Sequence, residues 1–262
     1  MKSYKNLTLS LTEILPIEQF YFADFLNLEQ LANPSRFRVL DWGCGRGITV
    51  ASLLKFGFDA YGVEIDPVVL KQSQTLFDDF AWNHPDRMKL IGQKNKTEFP
   101  SDYFDLIISD QVFEHVENIE DLAKEMHRIS KPGATLIHRW PAKYSILEPH
   151  LRMPFVHWLP KNRIRKGFIF ANLLFGNNPG WNQSASLRAQ TNLYYRYLVD
   201  KTYYRKLDDY SKLFSEKFDL EFEGNLKTNS KVLGFLAYRL NCRDFLGKQI
   251  SEVTLTLSKK AE

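Results

Sequence analysis

Residues 39–47 read Val-Leu-Asp-Trp-Gly-Cys-Gly-Arg-Gly, an apolar run that enters a loop of alternating glycines and then opens an apolar, helix-patterned segment. Such a loop turns sharply and lets the backbone approach a ligand without obstruction by side chains. Glu64 follows Gly43 by 21 residues and closes the next apolar run, where a carboxylate can accept hydrogen bonds from ribose hydroxyls. Strand, glycine loop, helix and acid in that order predict a nucleotide-bearing cofactor. A second set of groups could move a proton: Glu114, His115, His138, Glu148 and His150 all fall on or after segments patterned as strands.

The loop is Gly-x-Gly-x-Gly and begins with Asp41, rather than the Gly-x-Gly-x-x-Gly of dinucleotide oxidoreductases. In this it resembles the class I S-adenosylmethionine-dependent methyltransferases, particularly their small-molecule branch. The similarity extends over residues 36–140. Residues 99–105 (Phe-Pro-Ser-Asp-Tyr-Phe-Asp) resemble that family's approach to strand four, 110–116 (Asp-Gln-Val-Phe-Glu-His-Val) the loop at its end, and 128–133 (Arg-Ile-Ser-Lys-Pro-Gly) the turn before strand five. The resemblance implies S-adenosyl-L-methionine as cofactor. Asp41, Gly43, Cys44 and Gly45 would surround its methionine and ribose portions, Glu64 would take the ribose, and Ile65 would flank the adenine. Gln93 stands where the family usually has an adenine-binding Asp, and Asp110 and Gln111 would border the cofactor from strand four. The rivals are a Rossmann oxidoreductase, disfavoured by Asp41 and the short glycine spacing, and a non-catalytic cofactor-binding partner subunit.

Methyl transfer from a sulfonium is an in-line displacement, so the protein's main task is alignment, and a hydroxyl acceptor gains from a general base. His150 is the first candidate, with Glu148 and His115 next; His138, within a strand, reads as a packed structural residue. No Cys, His and carboxylate set has metal-ligand spacing: His150 and His157 stand seven apart with no cysteine near them, so no metal is expected.

These groups need a scaffold, and the alternation of strand and helix patterns supplies one. A leading helix over 17–32 precedes strands Arg36 to Leu40, Ala60 to Glu64, Met88 to Ile91, Phe104 to Ser109 and Thr135 to Trp140. Helices lie between them, through Phe56, from Pro67, and from Asn118 to Ile129. After a break, Asp208 to Phe218 reads as helix, Leu220 to Glu223 as strand, Lys231 to Asn241 as helix and Val253 to Ser258 as strand. The expected fold is α/β: a Rossmann-like, doubly wound, mostly parallel seven-stranded sheet with an N-terminal helix and a helical, aromatic lid inserted after strand five. One domain spans 1–262, divided into an N-terminal cap (1–35), a cofactor-binding core (36–140), a lid (141–204) and the end of the sheet (205–262).

The lid region carries prolines at 141, 149, 154, 160 and 179 and a tyrosine group at 194, 195, 197, 203 and 204. Residues 151–175 interleave basic residues with Phe, Trp and Ile, which suits a packed lid or peripheral contact with a membrane surface. The acceptor is expected to be a small molecule, a glycan or a lipid-linked intermediate. With 35 basic residues dispersed among 31 acidic ones, nucleic acid is disfavoured. Two cysteines, one of them in the glycine loop, exclude a disulfide framework. That usage and the absence of a signal-peptide pattern suit the cytoplasm or the inner membrane face.

Overall fold

The computed structural model describes residue 26 and residues 28–72, 87–92, 94–182, 184–225 and 252–260. Gln93, most of the 17–32 helix and the 231–241 helix lie outside the described residues.

Five parallel strands, β1 (Arg38–Trp42), β2 (Asp59–Glu64), β3 (Met88–Leu90), β4 (Phe104–Asp110) and β5 (Ser130–Pro141), join β8 (Phe218–Asn225) and β9 (Glu252–Lys259) in one seven-stranded sheet. The order is β3-β2-β1-β4-β5-β9-β8, with β9 antiparallel to both of its neighbours. The chain leaves β1 toward one edge and returns through β4 toward the other. The carboxyl ends of β1 and β4 therefore flank the topological switch point, where open α/β sheets bind ligands.

The central strands are apolar on both faces because helices cover both. Val39 and Leu40 of β1 and Leu106, Ile107 and Ile108 of β4 are fully or almost fully buried. Helix α1 (Leu28–Ala32) precedes β1, and α2 (Ile48–Phe56), α3 (67–72 as described) and α4 (Ile119–Ile129) lie between the strands in sequence. In α4 the buried Ile119, Leu122, Ala123, Met126 and Ile129 follow helical spacing, and Asn118 Oδ1 caps the helix by accepting from the Asp121 N–H at 3.2 Å.

Several boundaries differ from the sequence expectation, among them the helix expected over Asp208 to Phe218, which ends at Phe214 so that Phe218 opens the following strand, Phe218–Asn225. β1 begins and ends two residues later, because Pro34–Arg36 forms a 3-10 turn, and this carries Asp41 and Trp42 into the strand. β5 starts before the Lys-Pro-Gly turn: its pairing with β4 jumps from Phe104↔Ser130 to Leu106↔Thr135, an irregularity that holds Gly133 at φ 76°.

The region after β5 is more helical than its prolines suggest. A small hairpin of β6 (Leu147–Glu148) and β7 (Met153–Pro154) leads to α5 (Arg163–Leu174) and α6 (Leu187–Asp200), and α7 (Leu207–Phe214) returns the chain to β8. Leu151, Met153, Val156, Ile169, Leu173, Tyr194 and Leu198 form a small core of their own within it. Arg165 is buried there because its guanidinium donates to the carbonyls of His157, Leu159 and Leu198.

Candidate active site

The glycine loop closes on β2. Gly43 and Cys44 donate their N–H groups to Val63 O at 2.8 and 3.0 Å, and the Gly47 N–H donates to Cys44 O. Gly43, Gly45 and Gly47 all have positive φ (74°, 55° and 81°), a conformation costly for any residue with a Cβ. Gly43 and Gly45 differ in surroundings. A Cβ on Gly43 would stand 2.5 Å from Val112 Cγ2, whereas one on Gly45 meets nothing within 4 Å. Gly43 is thus a packing glycine that locks the loop to the segment after β4. Gly45, by contrast, faces open space.

Glu64 anchors the same loop. Its Oε2 accepts from the Gly45 N–H at 2.9 Å and its Oε1 from the N–H groups of Ile65 (2.8 Å) and Asp66 (3.0 Å). A carboxylate has about four lone-pair sites, so acceptor capacity remains beside the exposed Ile65 side chain. The Cys44 thiol points into the core, 4.0 Å from Met88 Sδ, while its N–H donates to Val63 O of β2 and its carbonyl accepts from the Gly47 N–H. Small Gly62 beneath it explains the direction, since a Cβ there would lie 2.7 Å from that thiol.

Asp41, at the end of β1, is buried, and its pKa is pushed up to about 8 by burial first and then by the Asp110 and Glu64 carboxylates. Three acids therefore converge at the carboxyl ends of β1, β2 and β4. Asp110 is held by a bidentate pair with Arg139 of β5 (2.8 and 2.9 Å), its direct partner in strand register. Gln111 follows at φ 57° with its N–H on Arg139 O, a left-handed conformation that redirects the chain into the 3-10 turn Phe113–His115.

That turn carries the second cluster. Glu114 is fully buried, burial pushes its carboxyl up to about 8, and neither carboxylate oxygen has a hydrogen-bond partner among the described residues. His115 Nδ1 lies 2.6 Å from Lys201 O, so that nitrogen carries the proton and Nε2 keeps its lone pair, 3.7 Å from Glu114 Oε1. Burial lowers the pKa of His115. From the lid, His150 Nδ1 lies 2.7 Å from Glu148 Oε1, leaving its Nε2 lone pair 4.0 Å from Glu114 Oε1.

Glu148 is itself buried. It accepts from the Leu151 N–H (2.6 Å) and Tyr204 OH (2.7 Å), and despite burial its bonds to His150, Tyr204 and Leu151 lower its pKa. The structure thus brings together the three residues expected to serve as bases, His150, Glu148 and His115. It joins to them Glu114, also a candidate from the sequence, and Tyr204 of the tyrosine group, 34 and 56 residues from Glu148, a distance at which spacing gives no sign that they meet.

Of the five tyrosines, Tyr197 and Tyr204 reach this cluster, Tyr197 standing 5.3 Å from the His150 ring. Tyr194 instead donates to Trp181 O within the lid core. His138 is structural, as expected. It is buried against Phe113, its Nδ1 lies 2.8 Å from Ser109 Oγ, and burial lowers its pKa to about 3. His157 is likewise kept neutral by burial, with its pKa lowered to about 4.

Comparison with known proteins agrees with this architecture. The sequence profile of a family described as a methyltransferase domain matches residues 18–173, more than half of the chain. An uncharacterized methyltransferase of Mycobacterium tuberculosis is 31% identical over 121 residues, covering 45% of this chain and 55% of that protein. A ubiquinone biosynthesis O-methyltransferase of Rickettsia conorii is 28% identical over 158 residues, 58% of this chain and 50% of that one. The chain spans about half the length of these curated relatives. Among solved structures, an S-adenosylmethionine-dependent methyltransferase from Mesorhizobium loti superposes with a TM-score of 0.52 at 15% identity, covering 85% of this chain and 91% of that one. The profile match together with the seven-stranded sheet and its switch-point loop identifies this chain as a member of the methyltransferase domain family, of the class I, S-adenosylmethionine-dependent kind.

Proposed function

We propose that this chain transfers a methyl group from S-adenosylmethionine to an oxygen of a small-molecule, glycan or lipid-linked acceptor. S-adenosylmethionine, when bound, supplies an electrophilic methyl carried on a sulfonium. The loop fits that cofactor on three counts: open space at Gly45, acceptor capacity on Glu64, and a buried acid, Asp41, suited to a cationic ligand. Asp41, Gly45 and Glu64 would hold it, with Ile65 beside its base.

The observation that carries the choice of oxygen is the cluster of Glu114, His115 and His150, formed where the turn after β4 meets the lid hairpin. It presents two imidazole lone pairs and a buried carboxyl, and so is built to take up positive charge. The proton released from an acceptor hydroxyl is such a charge. Glu148 orients His150 for that role, and Tyr204 holds Glu148. The O-methyltransferase relative of Rickettsia conorii supports the same choice of acceptor atom.

The outward face of the lid supports an acceptor at a lipid surface. Ile164, Phe170, Leu174 and Phe175 are exposed there, and a cleft of about 270 Å³ between α5 and α6 is lined by Arg163, Lys166 and Arg188 with Phe170. Apolar groups flanked by cations suit anionic head groups. No helix among the described residues is long and apolar enough to cross a membrane, so contact through this face would be peripheral.

The test is transfer of labelled methyl from S-adenosylmethionine into phenolic acceptors and into extracted metabolite and lipid fractions, with wild type and His150→Ala. The variant is expected to lose about 10²- to 10⁴-fold in turnover while its S-adenosylhomocysteine affinity stays within about twofold. Cofactor binding with no transfer into any fraction would favour a non-catalytic partner subunit. Transfer to nitrogen alone would overturn the assignment to oxygen.

A further inference from the structure

The structure assigns a metal site to this chain: a divalent transition-metal ion, with Zn²⁺ the best fit, bound by Glu114, His115 and His150. Sequence spacing hides the set, since two ligands sit on the turn after β4 and the third comes from the lid hairpin 35 residues later. In space, one ligand atom from each lies within 4.8 Å of the other two.

Four observations converge. The carboxylate of Glu114 is fully buried and unpartnered among the described residues, although a buried carboxyl ordinarily finds a donor or a cation. Both imidazoles present a lone pair to it, because each Nδ1–H is already committed, in His115 to Lys201 O and in His150 to Glu148. These outer contacts are a backbone carbonyl and a carboxylate, the two partners that orient metal-ligating histidines and raise their basicity. The supports are themselves fixed: the Tyr203 N–H donates to Glu114 O, the His115 N–H to Val112 O, and Glu148 is tied down by Leu151 and Tyr204.

Two imidazoles and one carboxylate suit zinc or its first-row neighbours, whereas magnesium and calcium prefer oxygen alone. Bonds of about 2.0–2.1 Å in a tetrahedron place ligand atoms about 3.3 Å apart. The 3.7 and 4.0 Å separations need to shorten by about 0.4 and 0.7 Å, and all three ligand atoms already lie within 4.8 Å of one another, so side-chain rotation brings them to that spacing. Three protein ligands leave a coordination position open, and an ion there, by occupying the imidazole lone pairs that would otherwise take the acceptor proton, replaces that role by lowering the pKa of a bound hydroxyl. That use of the ion rests on the methyl-transfer reading; its binding rests on the three side chains alone.

The test uses the full chain, purified without a histidine tag, stripped with a chelator and titrated with Zn²⁺ against a competing chromophoric chelator, with no S-adenosylmethionine present. One equivalent is expected to bind with a dissociation constant below about 1 µM. His115→Ala, His150→Ala and Glu114→Gln are each expected to weaken it at least about 100-fold, and Glu148→Gln about 10- to 100-fold. His157→Ala, a neighbour outside the set, is expected to bind as wild type does. His150 is partly exposed, so its variant keeps the fold testable where Glu114→Gln does not. Absence of stoichiometric binding by wild type, or unchanged binding by folded His115→Ala and His150→Ala, would overturn the site. Neither result touches cofactor binding, which a separate titration with S-adenosylhomocysteine reports.

Discussion

Gly43 and Gly45 have the same backbone hand and opposite surroundings, and alanine at the two positions is expected to fail in different ways. A left-handed non-glycine residue costs about 1–2 kcal/mol, and both variants incur it because φ is 74° and 55°. Gly43→Ala also drives a methyl to 2.5 Å from Val112 Cγ2 and 3.3 Å from its Cγ1, an overpacking cost of about 1–3 kcal/mol. The expected destabilisation is about 2–5 kcal/mol for Gly43→Ala and about 1–2 kcal/mol for Gly45→Ala. At about 2–4 °C per kcal/mol for a chain of this size, melting temperatures should fall by roughly 4–20 °C and 2–8 °C. Val112→Ala separates the overlap, because it deletes both clashing atoms and leaves Val112 Cβ at 3.5 Å, an ordinary contact. The Gly43→Ala/Val112→Ala double variant should recover about 1–3 kcal/mol relative to additivity, while the Gly45→Ala pair adds within about 0.5 kcal/mol. Thermal and urea unfolding of the five variants measure this cycle. S-adenosylhomocysteine titration should show the converse, with at least about a tenfold loss for Gly45→Ala. Equal destabilisation at the two glycines, or no recovery through Val112, would refute the packing argument.

Three other outcomes follow from the site. Glu64→Ala removes an acceptor of the Gly45, Ile65 and Asp66 N–H groups and should weaken S-adenosylhomocysteine by about 1.5–3 kcal/mol in a calorimetric titration; a loss below about 0.5 kcal/mol would mean the carboxylate only anchors the loop. Burial beside Asp110 and Glu64 raises Asp41 from 3.8 to about 8, so the folded state keeps a proton that the unfolded chain has released. Stability from this group should therefore fall as pH rises from about 4 to 8, and Asp41→Asn should flatten that part of a melting-temperature profile against pH; an unchanged slope would contradict it. Replacing exposed Phe170 and Leu174 by Ser should weaken co-sedimentation with phosphatidylglycerol vesicles by about tenfold without moving the melting temperature by more than about 2 °C; equal sedimentation would remove the lipid face.

The geometry of the candidate cofactor loop was legible because it is local. Asp41, the glycines and Glu64 lie within 24 residues, and each strand-to-loop transition carries its own glycine or acid, so pattern and spacing suffice. The same locality made α4 readable, from its Asn118 cap to its apolar stripe. The acceptor half was not legible in the same way. His150 and His115 could be picked out one at a time, but what makes them a unit is the meeting of the lid hairpin with the turn after β4 and with Lys201 and Tyr204 near the end of α6. Those contacts are long-range and leave no periodicity. The lid was expected to be helical, but the bounds of its helices were obscured by prolines, of which Pro149, Pro160 and Pro179 sit between elements. The direction of the Cys44 side chain was not legible for a different reason: the room beneath Gly62 decides which way the thiol turns.

The most direct measurement is calorimetric titration of the purified chain with S-adenosylhomocysteine, run in parallel on Gly45→Val. Valine at Gly45 would place a branched side chain in the open space of the loop at a φ it tolerates poorly. The structure predicts one-to-one binding to the wild type and none to a variant that still melts cooperatively. No binding to the wild type, or equal affinity for both proteins, would contradict the placement of the cofactor on which the functional reading stands.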